Sequence, residues 1–150
     1  MTDIGRHAPA AGTPWHLWAV GVVGLLWNCM GALDYTMTKT HNAAYLANLT
    51  PEQLAWVEAF PAWASGGWAL GVWGSVAGSL LLLLRHRWAI AAFALSLVGL
   101  VVTTIYQFGV GDMPASLNTS FTLAFSAAIW IVALLLFWYA MRMRTKGVLR

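Results

Sequence analysis

Trp27-Asn28-Cys29-Met30-Gly31-Ala32-Leu33-Asp34-Tyr35 closes an apolar run that begins at Trp15 and continues to Thr38. A helix needs about 20 residues to cross about 30 Å of hydrocarbon, and this run is long enough. Yet it holds Asn28 in its interior and an acid, Asp34, near its far end. At heptad steps Gly21, Gly24, Asn28, Gly31 and Tyr35 share one seam. Small and polar residues do not belong against lipid tails, so this seam is expected to face other helices. Trp15 to Asp34 spans a rise of about 28 Å, which sets Asp34 near one hydrocarbon boundary and Asn28 about 9 Å deeper. The depth matters, because an Asp at a helix centre costs about 2.5–3.5 kcal/mol and much less at the edge.

Outward from this stretch the chain repeats the theme. It is 60% hydrophobic and 9% charged, where charged residues make up about a quarter of a soluble domain. Three further runs, Ala62–Leu84, Trp88–Val110 and Phe121–Met141, are each long enough to span. The expected fold is an all-α membrane protein, a four-transmembrane-helix bundle over 14–143 with spans at about 15–37, 62–84, 88–110 and 121–141. A flexible cytoplasmic tail, 1–13, and a basic cytoplasmic tail, 144–150, flank it. The first run is too long for a signal-peptide core and lacks a small-residue cleavage site at its end. Cys29 is the single cysteine, which excludes an intramolecular disulfide and the membrane thiol oxidoreductases that use cysteine pairs.

Charge sets the expected orientation. In a hairpin stack, Arg6, Arg85, Arg87, Arg142, Arg144, Lys146 and Arg150 fall on one side and Lys39 alone on the other. Seven of the eight cations on the side of both termini predicts cytoplasmic termini. Asp34, Glu52, Glu58 and Asp112 fall at or near the opposite, outer face, with Asp3 inside. The net charge of +3 therefore reflects membrane ends, and nucleic acid is not an expected partner.

Thr13-Pro14 reads as a capped helix start. Trp15, His16 and Trp18 then suit the inner interface. In the first outer loop, Thr50-Pro51-Glu52-Gln53 reads as a capping box opening a short interfacial helix to about Ala59. Its Leu54, Trp56, Val57 and Phe60 are available to lie on the membrane or on the bundle, and Phe60-Pro61 breaks it. Capping also accounts for Thr50 in the glycosylation triplet Asn48-Leu49-Thr50. In the second span, Gly67, Gly71, Gly74 and Gly78 form a groove with two GxxxG motifs, suited to close helix packing within one copy or against a second. Arg85-His86-Arg87 forces the third helix back antiparallel. That helix has its own seam of Ala92, Ser96, Gly99, Thr103 and Tyr106. After a Gly111–Pro114 turn the fourth span ends in Trp138-Tyr139, an inner-interface anchor.

By depth, the polar groups gather in the outer half: Asn28, Asp34 and Tyr35, then Thr103, Tyr106 and Gln107, then Ser126. They either line a small outward-opening polar site or hydrogen-bond across helices at about 0.6–2 kcal/mol each. His16 and His86 both fall at the inner boundary, where a superficial haem is geometrically conceivable, but their Trp and Arg neighbours are those of interfacial residues. His41 has no partner at metal-ligand spacing, so neither metal nor cofactor is expected. No nucleophile with a base and an orienting acid is visible, so the chain is not expected to be an enzyme.

Pro14-Trp15-His16-Leu17-Trp18, Gly31-Ala32-Leu33-Asp34-Tyr35, Thr50-Pro51-Glu52-Gln53-Leu54 and Phe60-Pro61-Ala62-Trp63 resemble a family of small bacterial four-span inner-membrane proteins, members of which are often labelled sugar transporters. The resemblance runs over almost the whole chain to Gly147-Val148-Leu149-Arg150. It implies the bacterial inner membrane and a four-span fold, and it carries no functional residues over. Two functions are expected from these observations. One is binding or transport of a small polar, sugar-like solute by a homo-oligomer. The other is a non-catalytic accessory or assembly subunit of a larger membrane complex, docked through the glycine grooves.

Overall fold

The computed structural model describes residues 12–150, so Arg6 and most of the tail expected over 1–13 lie outside it. Four helices are long and apolar enough to span a membrane, and the chain is a multi-pass membrane protein with an all-α bundle. The spanning helices are α1 (Trp15–Lys39), α4 (Ala62–Leu83), α5 (Ala89–Ile105) with a π-helical extension (Tyr106–Val110), and α6 (Ser120–Thr145). Two short helices, α2 (Ala43–Leu46) and α3 (Pro51–Glu58), fill the loop after α1. The end holding residue 12 and the C-terminal residues is here the basic end, and the other the loop end.

α4 is the middle element, with α1 on one face and α5 on another. The α1 seam runs antiparallel along it. Gly21 abuts Leu83, Gly24 abuts Ser79 and Leu136, and Gly31 lies over Val72. Asn28 donates from Nδ2 to the Ser75 carbonyl (3.2 Å) and to Ser79 Oγ (3.0 Å). Tyr35 meets the Trp68 ring edge-on at 5.1 Å, and Lys39 Nζ donates to Ser65 Oγ at 2.7 Å. A wholly aliphatic helix would give no such register, because lipid solvates aliphatic faces as well as a helix does.

The glycines of α4 face α5. Gly67 lies against Val102, Gly71 against the Gly99–Leu100 backbone, Gly74 against Ala92 and Ser96 backbone, and Gly78 against Phe93. Removing side chains there brings the two backbones together, and Ser96 Oγ donates to the Gly71 carbonyl at 2.6 Å. The groove is thus filled within one copy.

α6 is the peripheral span. It packs on α5, touches α1 lightly, and is attached mainly near the basic end. There Leu136, Ala140 and Met143 join Leu17, Leu82, Ala89 and Phe93 in the buried apolar cluster. His16 Nδ1 bonds the Tyr139 hydroxyl, and higher up Trp130 Nε1 donates to Thr104 Oγ1 at 3.2 Å.

Several boundaries differ from expectation. α6 runs to Thr145, beyond the expected end near Met141, and the expected tail over 144–150 is folded back. Gly147 takes a left-handed conformation (φ 71°). Its N–H donates to Arg144 O (2.9 Å), and Val148 N–H to Met143 O (3.0 Å), the paired bonds that close a helix in a Schellman motif. Val148 and Leu149 then enter the apolar cluster. Thr13 does not cap α1, whose N-cap position is Pro14 without a side-chain bond; its hydroxyl accepts from Arg85 instead. The third span is α-helical only to Ile105, and Gly111 N–H reaches back five residues to Tyr106 O at 2.8 Å. A Cβ on Gly111 would sit 2.7 Å from that oxygen, so this close return needs glycine.

Candidate functional site

The loop end carries the structure that is not needed for spanning. α1 finishes at Lys39, and the chain turns sharply at His41, which holds a left-handed φ of 51°. Asn42 caps α2 by accepting from Tyr45 N–H at 3.0 Å. Thr50 and Gln53 form the full capping box of α3, each side chain accepting from the other residue's backbone N–H. Neither α2 nor α3 contains a buried residue. They are held to the bundle by polar ties and by aromatic rings.

The aromatic tie is extensive. The Tyr106 ring is buried and lies 4.4 Å from Phe60 and 5.7 Å from Trp63, centroid to centroid. Phe60 also packs edge-on against Trp56 at 4.9 Å and reaches Trp68 at 5.9 Å. Such pairs contribute about 0.5–1.5 kcal/mol each beyond the area they bury. Two polar tips are bonded to backbone: Trp56 Nε1 donates to Gly111 O and Tyr106 OH to Ala59 O. Lys39 Nζ sits 5.8 Å from the Phe60 ring centre, within cation–π range.

Above this nest α3 leans towards the end of α1 and leaves a hollow of about 350 Å³. Thr38, Lys39, His41 and Glu58 line it together with Leu46, Leu54 and Val57. His41 Nδ1 and a Glu58 oxygen stand 3.9 Å apart, both well exposed. The hollow thus brings an imidazole, a hydroxyl and a carboxylate together with three aliphatic side chains, beside a lysine whose ammonium also bonds Ser65 Oγ. Tyr45 OH donates to Asp34 Oδ1 at 2.6 Å, tying α2 to α1 nearby. That bond, with partial burial and the charge of Asp34 behind it, pushes the Tyr45 phenol up to about 12.

The polar residues expected to line one site take separate places. Asn28 spends its amide on α4. Asp34 holds Tyr45. Tyr35 and Tyr106 belong to the aromatic nest. Thr103 Oγ1 turns back to the Gly99 carbonyl of its own helix, as hydroxyls in apolar helices do. Gln107 lines a second hollow of about 270 Å³ with Asp112 and Asn118. Ser126 sits half-buried on α6. His16 bonds Tyr139, and His86 Nδ1 accepts from Trp88 N–H.

Thr38, Lys39, His41 and Glu58 are not among the site residues expected from the sequence. Thr38 and Lys39 are the last residues of α1, and His41 and Glu58 lie in the loop after it, where apolar periodicity carries no signal. The capping box was the available clue, because it fixes where α3 starts and hence that Glu58 is on its last turn. Among the described residues no three of His, Cys, Asp or Glu converge as metal ligands would. No protein-family model matches the sequence, and neither a curated protein nor a solved structure matches it.

Proposed function

We propose that this membrane protein lies in a bacterial inner membrane with both termini cytoplasmic and binds a small polar, sugar-like solute at the hollow above α1. The single observation behind this reading is that Thr38, Lys39, His41 and Glu58 line one hollow with Leu46, Leu54 and Val57. An ammonium and an imidazole donate to hydroxyls, a carboxylate accepts from them, and aliphatic walls suit the C–H face of a sugar ring. Its volume lies near the lower end of the range for small-molecule sites, about 300 Å³ upwards. The orientation follows from the basic end, which carries Arg85, Arg87, Arg142, Arg144, Lys146 and Arg150. The bacterial inner membrane is proposed on the resemblance of Pro14–Trp18, Gly31–Tyr35, Thr50–Leu54 and Phe60–Trp63 to small bacterial four-span proteins.

Passage through the membrane requires more than one copy in this reading. Towards the basic end Leu17, Leu82, Phe93, Leu136 and Met143 fill the single bundle with apolar side chains. The test is thermal unfolding of the purified protein against a panel of neutral mono- and disaccharides at millimolar concentrations. A sugar should raise the midpoint, and Glu58→Gln or Lys39→Met should remove the rise while Asn118→Ala keeps it. No sugar-dependent rise, or one indifferent to Glu58 and Lys39, refutes the site.

One observation favours the accessory reading: α6 is the least buried span and leaves a long flank of Ile131, Leu134, Leu135 and Trp138 outward. Native mass spectrometry of protein extracted gently from its own membranes separates the two. Stoichiometric foreign subunits support the accessory role, and a homo-oligomer supports solute binding. Docking through the α4 glycines is disfavoured in either case, because α5 occupies them.

A further inference from the structure

Two chain reversals bring three arginines of the basic end together. α4 closes with Arg85 in the left-handed region (φ 56°), its N–H donating to Leu82 O and the His86 N–H to Leu81 O. α6 closes through Gly147 in the same way. The two segments then meet, with Arg150 N–H donating to Arg85 O at 2.9 Å and Arg87 N–H to an Arg150 oxygen at 2.8 Å. Val148 and Leu149, each 5% exposed, anchor this bridge in the apolar cluster.

The bridge is made by backbone, so the three side chains stay exposed. Arg85 Nη1 donates to Thr13 Oγ1 at 2.6 Å. Its other donors, and all those of the Arg87 and Arg150 guanidiniums, have no acceptor among the described residues, and no Asp or Glu there pairs with them. Three cations carried on adjoining backbone segments, with no Asp or Glu side chain among the described residues paired to them, favour an anion between them. Guanidinium forks match phosphate oxygens in bidentate geometry. Beside them Leu84 and Trp88 are 74% and 58% exposed, an apolar edge and an indole at the level where headgroups meet acyl chains. Arg142 differs, since its guanidinium lies over the Trp138 ring at 5.3 Å.

We propose that Arg85, Arg87 and Arg150 form a binding site for the phosphate of an anionic phospholipid headgroup. The adjoining Leu84 and Trp88 select a lipid over a soluble phosphate, because a free anion gains nothing from them. The site does not depend on the solute hollow at the other end.

The test is native mass spectrometry of the full-length protein released from nanodiscs holding equal phosphatidylglycerol and phosphatidylcholine. Phosphatidylglycerol should be retained in preference. The preference should fall about tenfold or more for each arginine removed, the loss of a charge-assisted hydrogen bond to phosphate, in R85Q/R87Q and separately in R150Q. The R150Q variant keeps the backbone bridge, so its effect cannot come from misfolding. R144Q/K146Q removes two charges from the same end and should leave the preference in place. Equal losses in the two double variants would mean diffuse charge and overturn the site. So would retention of both lipids alike, or release of phosphatidylglycerol by inorganic phosphate.

Discussion

At Gly99 one methyl group decides whether α4 and α5 can touch. A Cβ there would lie 2.5 Å from the Gly67 carbonyl oxygen and closer still to Gly71 N, and helix backbone cannot give way as a side chain does. Gly99→Ala should therefore destabilise the bundle by about 1–3 kcal/mol, the cost of overpacking a filled interior. Gly71→Ala meets its nearest neighbour at 3.5 Å, an ordinary contact, and should change stability by no more than about 0.5 kcal/mol. Unfolding in mixed micelles measures both, and equal effects would contradict the packing. Tyr45 offers a second residue-scale check. Its phenol, pushed from 10.0 up to about 12 by the Asp34 bond, keeps that bond complete below its unfolded value. A raised folded-state pKa means that the contribution disappears as pH rises through about 12. Absorbance titration, with Tyr45→Phe subtracted, should show this late step, and Asp34→Asn should return it towards 10.0.

The elements at the loop end depend on caps and ties rather than on a core. Without the Thr50 hydroxyl, Gln53 N–H at the start of α3 loses its acceptor. Thr50→Ala should weaken α3 by about 1 kcal/mol, and since α3 has no buried residue to compensate, the loss should appear as faster amide exchange over 51–58. Exchange in α4 and α5 should not change. The wide turn at the end of α5 is the other element with a role. It carries Tyr106 into the aromatic nest while Gln107, the next residue, lines a separate hollow. Adjacent residues of a helix point about 100° apart, and here Tyr106 and Gln107 face different surroundings.

On the scale of the molecule, α1, α4 and α5 form a tight sheet of helices, and α6 is secured to them chiefly at the basic end. The folded-back Val148 and Leu149 strengthen that end. Leu149→Ala should cost about 2–5 kcal/mol, the range for truncating a buried leucine, and should expose 146–150 to carboxypeptidase. Unchanged resistance would show that the fold-back contributes little. The proposed orientation is checked with single cysteines in a Cys29→Ser background. Ser116→Cys should react with a membrane-impermeant maleimide in intact cells, and Thr145→Cys only after permeabilisation.

Composition and apolar run lengths alone determined that the chain spans a membrane four times, because the bilayer admits little else for such segments. The seam of Gly21, Gly24, Asn28, Gly31 and Tyr35 was legible too, since small and polar residues on one face have no use against lipid. The capping box at Thr50 was equally local and equally readable. Only the tertiary structure decided that α4 is the helix this seam meets, that the α4 glycines are filled by α5, and that the C-terminal residues turn back into the core. Periodicity marks which face of a helix is buried but says nothing about the partner. The hollow of Thr38, Lys39, His41 and Glu58 was hidden for the same reason: its walls come from a helix end and a loop helix, and only the three-dimensional path of the loop brings them together.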